Sequence, residues 1–159
     1  MLNVNIICVG RLKESYLRGA IEEYSKRMKP LCKLNIIELP EERVGENPSA
    51  AEIKKTIDAE SGRILQKLSK SDYVVAMCIE GRNLSSEELS QKIEEIQQIA
   101  GTVDFIIGGS WGLSDALKAR ADFKLSMGKM TFPHQLFRVM LLEQIYRAFQ
   151  ISRGTKYHK

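Results

Sequence analysis

Two rhythms of apolar and polar positions alternate along the chain. Residues 2–9 (LNVNIICV) are half alternating and half continuously apolar and stop at Gly10, the pattern of a buried strand. Residues 13–28 place Tyr16, Leu17, Ala20, Ile21, Tyr24 and Met28 at helical spacing, and Pro30 ends that helix. Residues 33–39 (KLNIIEL) predict a second strand, followed by the polar loop PEERVGENPS. Ser49, with Glu52 three positions on, predicts a capping box that opens a helix over 50–68. Gly62 inside it costs about 1 kcal/mol relative to Ala and admits a kink.

The alternation continues. Residues 73–79 (YVVAMCI) predict a fully buried strand, after which the chain turns through Glu80 and Gly81. Ser85 or Ser86 opens a helix over 87–99 with Leu89, Ile93 and Ile96 on one face. A strand over 103–107 runs into Gly108 and Gly109, a short helix covers 115–120, and a short strand covers 122–126. A long helix runs from Pro133 to about Gln150, before the tail ISRGTKYHK. Strands alternating with helices predict an α/β fold, a parallel sheet with helices on both faces. No repeat, low-complexity run or linker divides the chain, so 1–159 is read as one domain.

Composition narrows the class. With 43% apolar and 28% charged residues the chain is globular rather than disordered or fibrous. The opening apolar run is too short for a membrane span and has neither a basic lead nor a small-residue cleavage site, so a cytoplasmic protein without membrane attachment is expected. Cys8, Cys32 and Cys78 are odd in number and lack CxxC spacing, and neither His134 nor His158 is near them. That pattern predicts neither a disulfide framework nor a metal site. The net charge of +4 is unevenly placed: residues 120–159 carry eight basic groups against Asp122 and Glu143, a net of +6, while the other 119 residues sum to −2. Such asymmetry suits a polyanion, and charge alone leaves that reading level with a solvated surface.

Parallel α/β sheets bind ligands beyond the carboxyl ends of their strands. Three such places stand out here: Met77–Gly81, Gly108–Gly112 and Ser126–Phe132. Gly108-Gly109-Ser110-Trp111-Gly112 is neither GxGxxG nor a Walker loop, which argues against ordinary NAD and ATP binding. Glycine content alone leaves a tight turn with a helix start as an equal reading.

The last helix says more. At 100° per residue, Arg138 lies mid-face among Leu142, Ile145 and Phe149, with His134 one turn earlier. An arginine so placed requires an acid, backbone carbonyls or an anionic ligand. The remaining surface of this helix is apolar nearly all round, so it is either central in the domain or a subunit interface, and the interface is preferred. Glu143 and Arg147, on the polar side, predict a structural i,i+4 ion pair. The tail Arg153-Gly154-Thr155-Lys156-Tyr157-His158-Lys159 combines cations with an aromatic ring, as phosphate and base recognition require, although composition alone leans towards a frayed terminus.

Together, IIGGSWGL, LSMGKMTFPHQLFRVMLLEQIYRAF, the opening VGRLKESY and the terminal YHK resemble the SPOUT methyltransferases, and within them the ribosomal RNA large subunit methyltransferase H family. The resemblance covers the whole chain. It implies a C-terminal trefoil knot, a rare exception to unknotted topology, and a homodimer with active sites at the interface. It also implies S-adenosylmethionine as cofactor, held in a bent form by Met77, Gly108 and the run Met127, Gly128, Lys129, Met130, Thr131 and Phe132. The implied reaction is methylation of N3 of a pseudouridine in large-subunit rRNA within the assembled ribosome.

Such a displacement needs alignment, and the N3 proton must leave, so a base or a charge-offsetting cation is useful. The candidates are Arg138, Arg153, Tyr157 and His158: His158 to accept the proton, Arg153 to offset negative charge, Tyr157 to stack on or bond the base, and Arg138 to hold the tail or a phosphate. Two other readings stand beside this one, a SPOUT enzyme acting on tRNA and a non-catalytic ribosome-binding dimer with a vestigial pocket.

Overall fold

The computed structural model describes residues 1–159. In chain order the elements are β1 (Asn3–Val9), α1 (Ser15–Met28), β2 (Lys33–Leu39), α2 (Ala50–Lys67) and β3 (Tyr73–Asn83), followed by α3 (Ser86–Ile99), β4 (Thr102–Ile107), α4 (Asp115–Arg120), β5 (Phe123–Ser126) and α5 (His134–Ser152). The five strands form one sheet in the order β2-β1-β4-β3-β5, and every pairing is parallel.

Burial on both faces explains the near-continuous apolar runs of the central strands. On one face Val4, Ile6 and Cys8 of β1 meet Val103, Phe105 and Ile107 of β4 and the inward residues of α1, α3 and α5. On the other, Ile7, Val9, Val74 and Ile106 pack with Ile64 of α2 and Leu117 of α4. α5 lies across α1 and α3 on the first face.

Local chemistry sets the helix starts. Ser85 and Glu88 form a full capping box at α3. At α2 only half the box forms: Ser49 accepts from the Glu52 N–H, while the Glu52 carboxylate takes the Ser49 hydroxyl. α2 runs as continuous helix through Gly62.

β3 runs four residues beyond the expected strand. Met77 and Arg82 both pair with Leu125 of β5, so the strand leaves the ladder after Met77 and rejoins it at Arg82. Gly81 permits the return, since a Cβ there would lie 2.8 Å from backbone atoms of Lys124 and Leu125. The apolar run ends at Ile79, inside this bulge, and the strand continues through polar residues to Asn83.

No helix is long and apolar enough to cross a membrane, and no three His, Cys, Asp or Glu side chains converge as a metal cluster.

Candidate functional site

A cavity of about 270 Å³ opens beside Met77–Glu80 of β3 and the carboxyl ends of β4 and β5. Its walls come from the three segments expected from the strand-end rule, joined by the first turn of α5. Of the eight residues expected to hold a cofactor, Met77, Gly108, Met127, Gly128, Met130, Thr131 and Phe132 line it. Lys129 does not, and its side chain is exposed.

The walls are mixed in character. Ile107, Leu113, Leu125 and Phe137 make apolar surface, and backbone groups of the glycine segments supply polarity. Gly128 has φ +116°, a conformation side-chain-bearing residues rarely adopt. The turn is pinned by Ser126, whose Oγ accepts from the Gly128 N–H at 3.1 Å.

At the rim, Lys118 pairs with Glu80 at 2.5 Å. The bond from Lys118 holds the Glu80 carboxyl below the usual carboxylate range. Cys78 also lines the cavity, where burial, with Glu80 beside it, pushes its thiol up. Its surroundings thus do not activate it as a catalytic thiolate. The site therefore offers shape and fixed polar groups rather than an activated side chain.

His134 lines the cavity too, from the start of α5. Among the residues outside the expected set it had the clearest advance sign, its place one turn before Arg138 on the apolar face. Glu80 falls within the expected Met77–Gly81 strand end, but its pairing with Lys118 spans 38 positions of sequence and had no local sign.

Arg138 is 1% exposed. Its Nη1 donates to Glu38 Oε2 at 2.6 Å and its Nη2 to the Gly10 carbonyl at 3.2 Å, so it takes both an acid and a backbone carbonyl. Burial raises the Glu38 carboxyl, but bonds from Arg138 and the Leu12 N–H outweigh it and hold the group below its ordinary value. Both partners stand at the ends of β1 and β2. Arg138 thus fastens α5 to the sheet, and neither of these partners is in the tail.

The tail is not frayed. Tyr157 donates to Glu143 Oε2 at 2.9 Å, and its ring meets Tyr146 edge-on at 4.9 Å with Arg147 above it at 4.8 Å. His158 is bound at both ring nitrogens, Nδ1 3.1 Å from Arg147 Nη1 and Nε2 2.7 Å from Glu87 Oε1. Composition could not reveal this, because Glu87 lies 71 positions away. Arg153 and Lys159 remain exposed.

Glu143 is the centre of this cluster. It accepts from Tyr24 at 2.7 Å and from Tyr157, and forms the expected ion pair with Arg147 at 2.7 Å. Burial first, and the Glu143 carboxylate second, push the Tyr24 phenol up to about 12 and raise that of Tyr157. Both therefore act as neutral donors. Glu143 also lines a second cavity of about 740 Å³, which shares only Leu125–Gly128 with the first. Within one chain that short segment separates the cofactor-type cavity from the second cavity, on whose side the tail is anchored through Glu143.

Comparison with known proteins identifies the family. Residues 2–158 match the family model described as "Predicted SPOUT methyltransferase". A Clostridium acetobutylicum protein named ribosomal RNA large subunit methyltransferase H is 53% identical over 159 residues, covering 99% of this chain and 100% of the relative. A protein of the same name from Clostridium botulinum (strain Langeland) and one named ribosomal RNA large subunit methyltransferase H 1 from Clostridium perfringens are each 49% identical over the same spans.

Proposed function

The chain belongs to the SPOUT methyltransferases, and on that premise we propose that it methylates N3 of a pseudouridine in large-subunit rRNA, using S-adenosylmethionine and acting as a homodimer on the assembled ribosome in the cytoplasm. The observation that carries the reading is the cavity at the ends of β3, β4 and β5, lined by seven of the eight cofactor positions. The names of the full-length relatives support rRNA as the substrate class.

The residues present fit the cofactor. Met77, Leu125 and Phe132 offer apolar surface for an adenine ring, backbone groups at Gly108 and Gly128 approach closely enough to bond a ligand's polar edges, and Glu80 with Lys118 suits a zwitterionic amino-acid end. When bound, S-adenosylmethionine supplies an activated methyl carbon. The chain's own work is alignment and handling of the N3 proton.

Tyr157, His158 and Arg153 are assigned to the target base. In the closed tail His158 has no free nitrogen, so proton acceptance requires it to leave Arg147 or Glu87. Arg153 is free to offset negative charge on the base. Arg138 serves by holding the start of α5, and with it the residue 126–134 wall.

Dimerisation is supported by α5, where Leu136, Phe137, Val139, Met140 and Tyr146 stay partly exposed. It is supported again by the separation of tail and cavity within one chain, which an interface site would close. The C-terminal trefoil knot belongs to the same reading and rests on membership of the SPOUT family alone.

Methyl-labelled S-adenosylmethionine, offered with ribosomes from cells lacking this protein, free large subunits, naked rRNA and tRNA, tests the reading. Label on intact ribosomes, mapped to a pseudouridine, is expected. Label on tRNA alone overturns the substrate, and no transfer together with no cofactor binding overturns the activity.

A further inference from the structure

α2 packs on the face of the sheet opposite α5 and contributes no residue to the cofactor-type cavity. It nevertheless carries one of the few buried carboxyls in the chain. Glu60 is 3% exposed. Its Oε2 accepts from the Glu42 N–H at 2.9 Å, and its Oε1 is buried with no partner. A carboxyl is rarely buried without full pairing, because its desolvation is unfavourable. Burial, with Glu41 and Glu42 nearby, pushes it above the usual carboxylate range despite the Glu42 N–H and Arg63.

The unpartnered oxygen lies against the cavity wall. A Cβ on Gly109 would stand 2.9 Å from Glu60 Oε1 and 3.2 Å from Val9 Cγ1, so Gly109 is boxed between α2 and the end of β1. The next residue of α2 holds the other end of the same loop: Ser61, 1% exposed, accepts from the Ser114 N–H at 2.9 Å. Ser114 in turn caps α4 through the Leu117 N–H. Two consecutive side chains of one helix thus meet this loop, Glu60 by close packing against Gly109 and Ser61 by a hydrogen bond to residue 114, and Gly108, Gly109, Gly112 and Leu113 between and beside those points line the cavity.

We propose that Glu60, aided by Ser61, is a positioning residue for cofactor binding that sets the Gly108–Ser114 wall from the far side of the sheet; the proposal rests on the cofactor reading above. Misplacing a wall by a fraction of an ångström weakens a preorganised site, whereas loss of an ordinary packing residue lowers stability without selecting one ligand.

The test is a titration of S-adenosylhomocysteine into the full chain by calorimetry, with fluorescence of Trp111 as a second readout, since the sole tryptophan sits on this loop. Glu60→Ala is expected to weaken binding by about tenfold or more and to raise KM for S-adenosylmethionine with little change in kcat. Glu60→Gln, which keeps the shape and the acceptor for Glu42, is expected to bind within about threefold of the parent. Gly109→Ala is expected to weaken binding in the parent and to weaken it less in the Glu60→Ala background, where only Val9 Cγ1 still crowds the added methyl.

A folded Glu60→Ala protein that binds as the parent does overturns the proposal. If that variant does not fold, Gly109→Ala binding at parental affinity overturns it instead. Failure of the parent itself to bind overturns the cofactor reading, and this inference with it.

Discussion

Tyr157 in the C-terminal tail donates its hydroxyl to Glu143 of α5 at 2.9 Å, and that one contact ties the last residues of the chain to the carboxylate that also receives Tyr24 and Arg147. Tyr157→Phe removes the donor and leaves the ring on Tyr146. A net hydrogen bond of this kind contributes about 1 kcal/mol, so the tail should open about fivefold more often. Carboxypeptidase release of residues 157–159 measures it. Global stability should barely move, and an unchanged release rate would show that ring packing and the His158 contacts hold the tail without this bond.

Arg138 is the buried cation on which the start of α5 depends. Arg138→Met leaves Glu38 without its partner and the Gly10 carbonyl without a donor. The expected loss in a urea titration is about 2 to 3 kcal/mol, below the figure for a fully buried pair because Glu38 is partly exposed. Arg138→Lys should recover little, since one ammonium lacks the fork that reaches both acceptors.

A polar row crosses the sheet away from the cavity: Asn35 donates to Asn5, and Asn5 to Asp104 Oδ1 at 2.7 Å. Asp104 Oδ2 is buried without a partner. Burial, reinforced by Asp72 and opposed by the Asn5 bond, pushes Asp104 up to about 7 from an ordinary value of 3.8. The folded chain therefore binds this proton more tightly than the unfolded one. Stability from this group is full below about 4 and is lost as pH rises to about 7. Asp104→Asn should flatten that part of the stability profile, measured as urea midpoint against pH. A variant that keeps the parental slope would place its source elsewhere.

Much of the fold was legible because each rhythm reports one local period. The ends of β1, β2, α3 and α4 fall within a residue or two of where the pattern puts them. Burial of Arg138 was legible for the same reason, as a helix has one geometry. Its partner was not, since Glu38 lies 100 positions away and only the β2-β1-β4-β3-β5 order brings them together. β3 outran its apolar run because a bulge and Gly81 carry the strand on through polar residues. Glu60 sat in a polar stretch of α2 that reads as solvated surface, and nothing local marks its burial. The cofactor positions came from resemblance, and the strand-end rule explains why they converge.

The cavity beside Met77, Gly108 and Gly128 is the proposed cofactor site, and Cys78 on its wall reports on it directly. Cys8 and Cys32 are buried, so Cys78 is the accessible thiol. Its alkylation by a small maleimide, followed by mass spectrometry at mildly alkaline pH, should slow as S-adenosylhomocysteine saturates the protein, with half-protection at the calorimetric Kd. Saturating ligand that binds by calorimetry yet leaves the Cys78 rate unchanged would put the cofactor somewhere else and contradict the account.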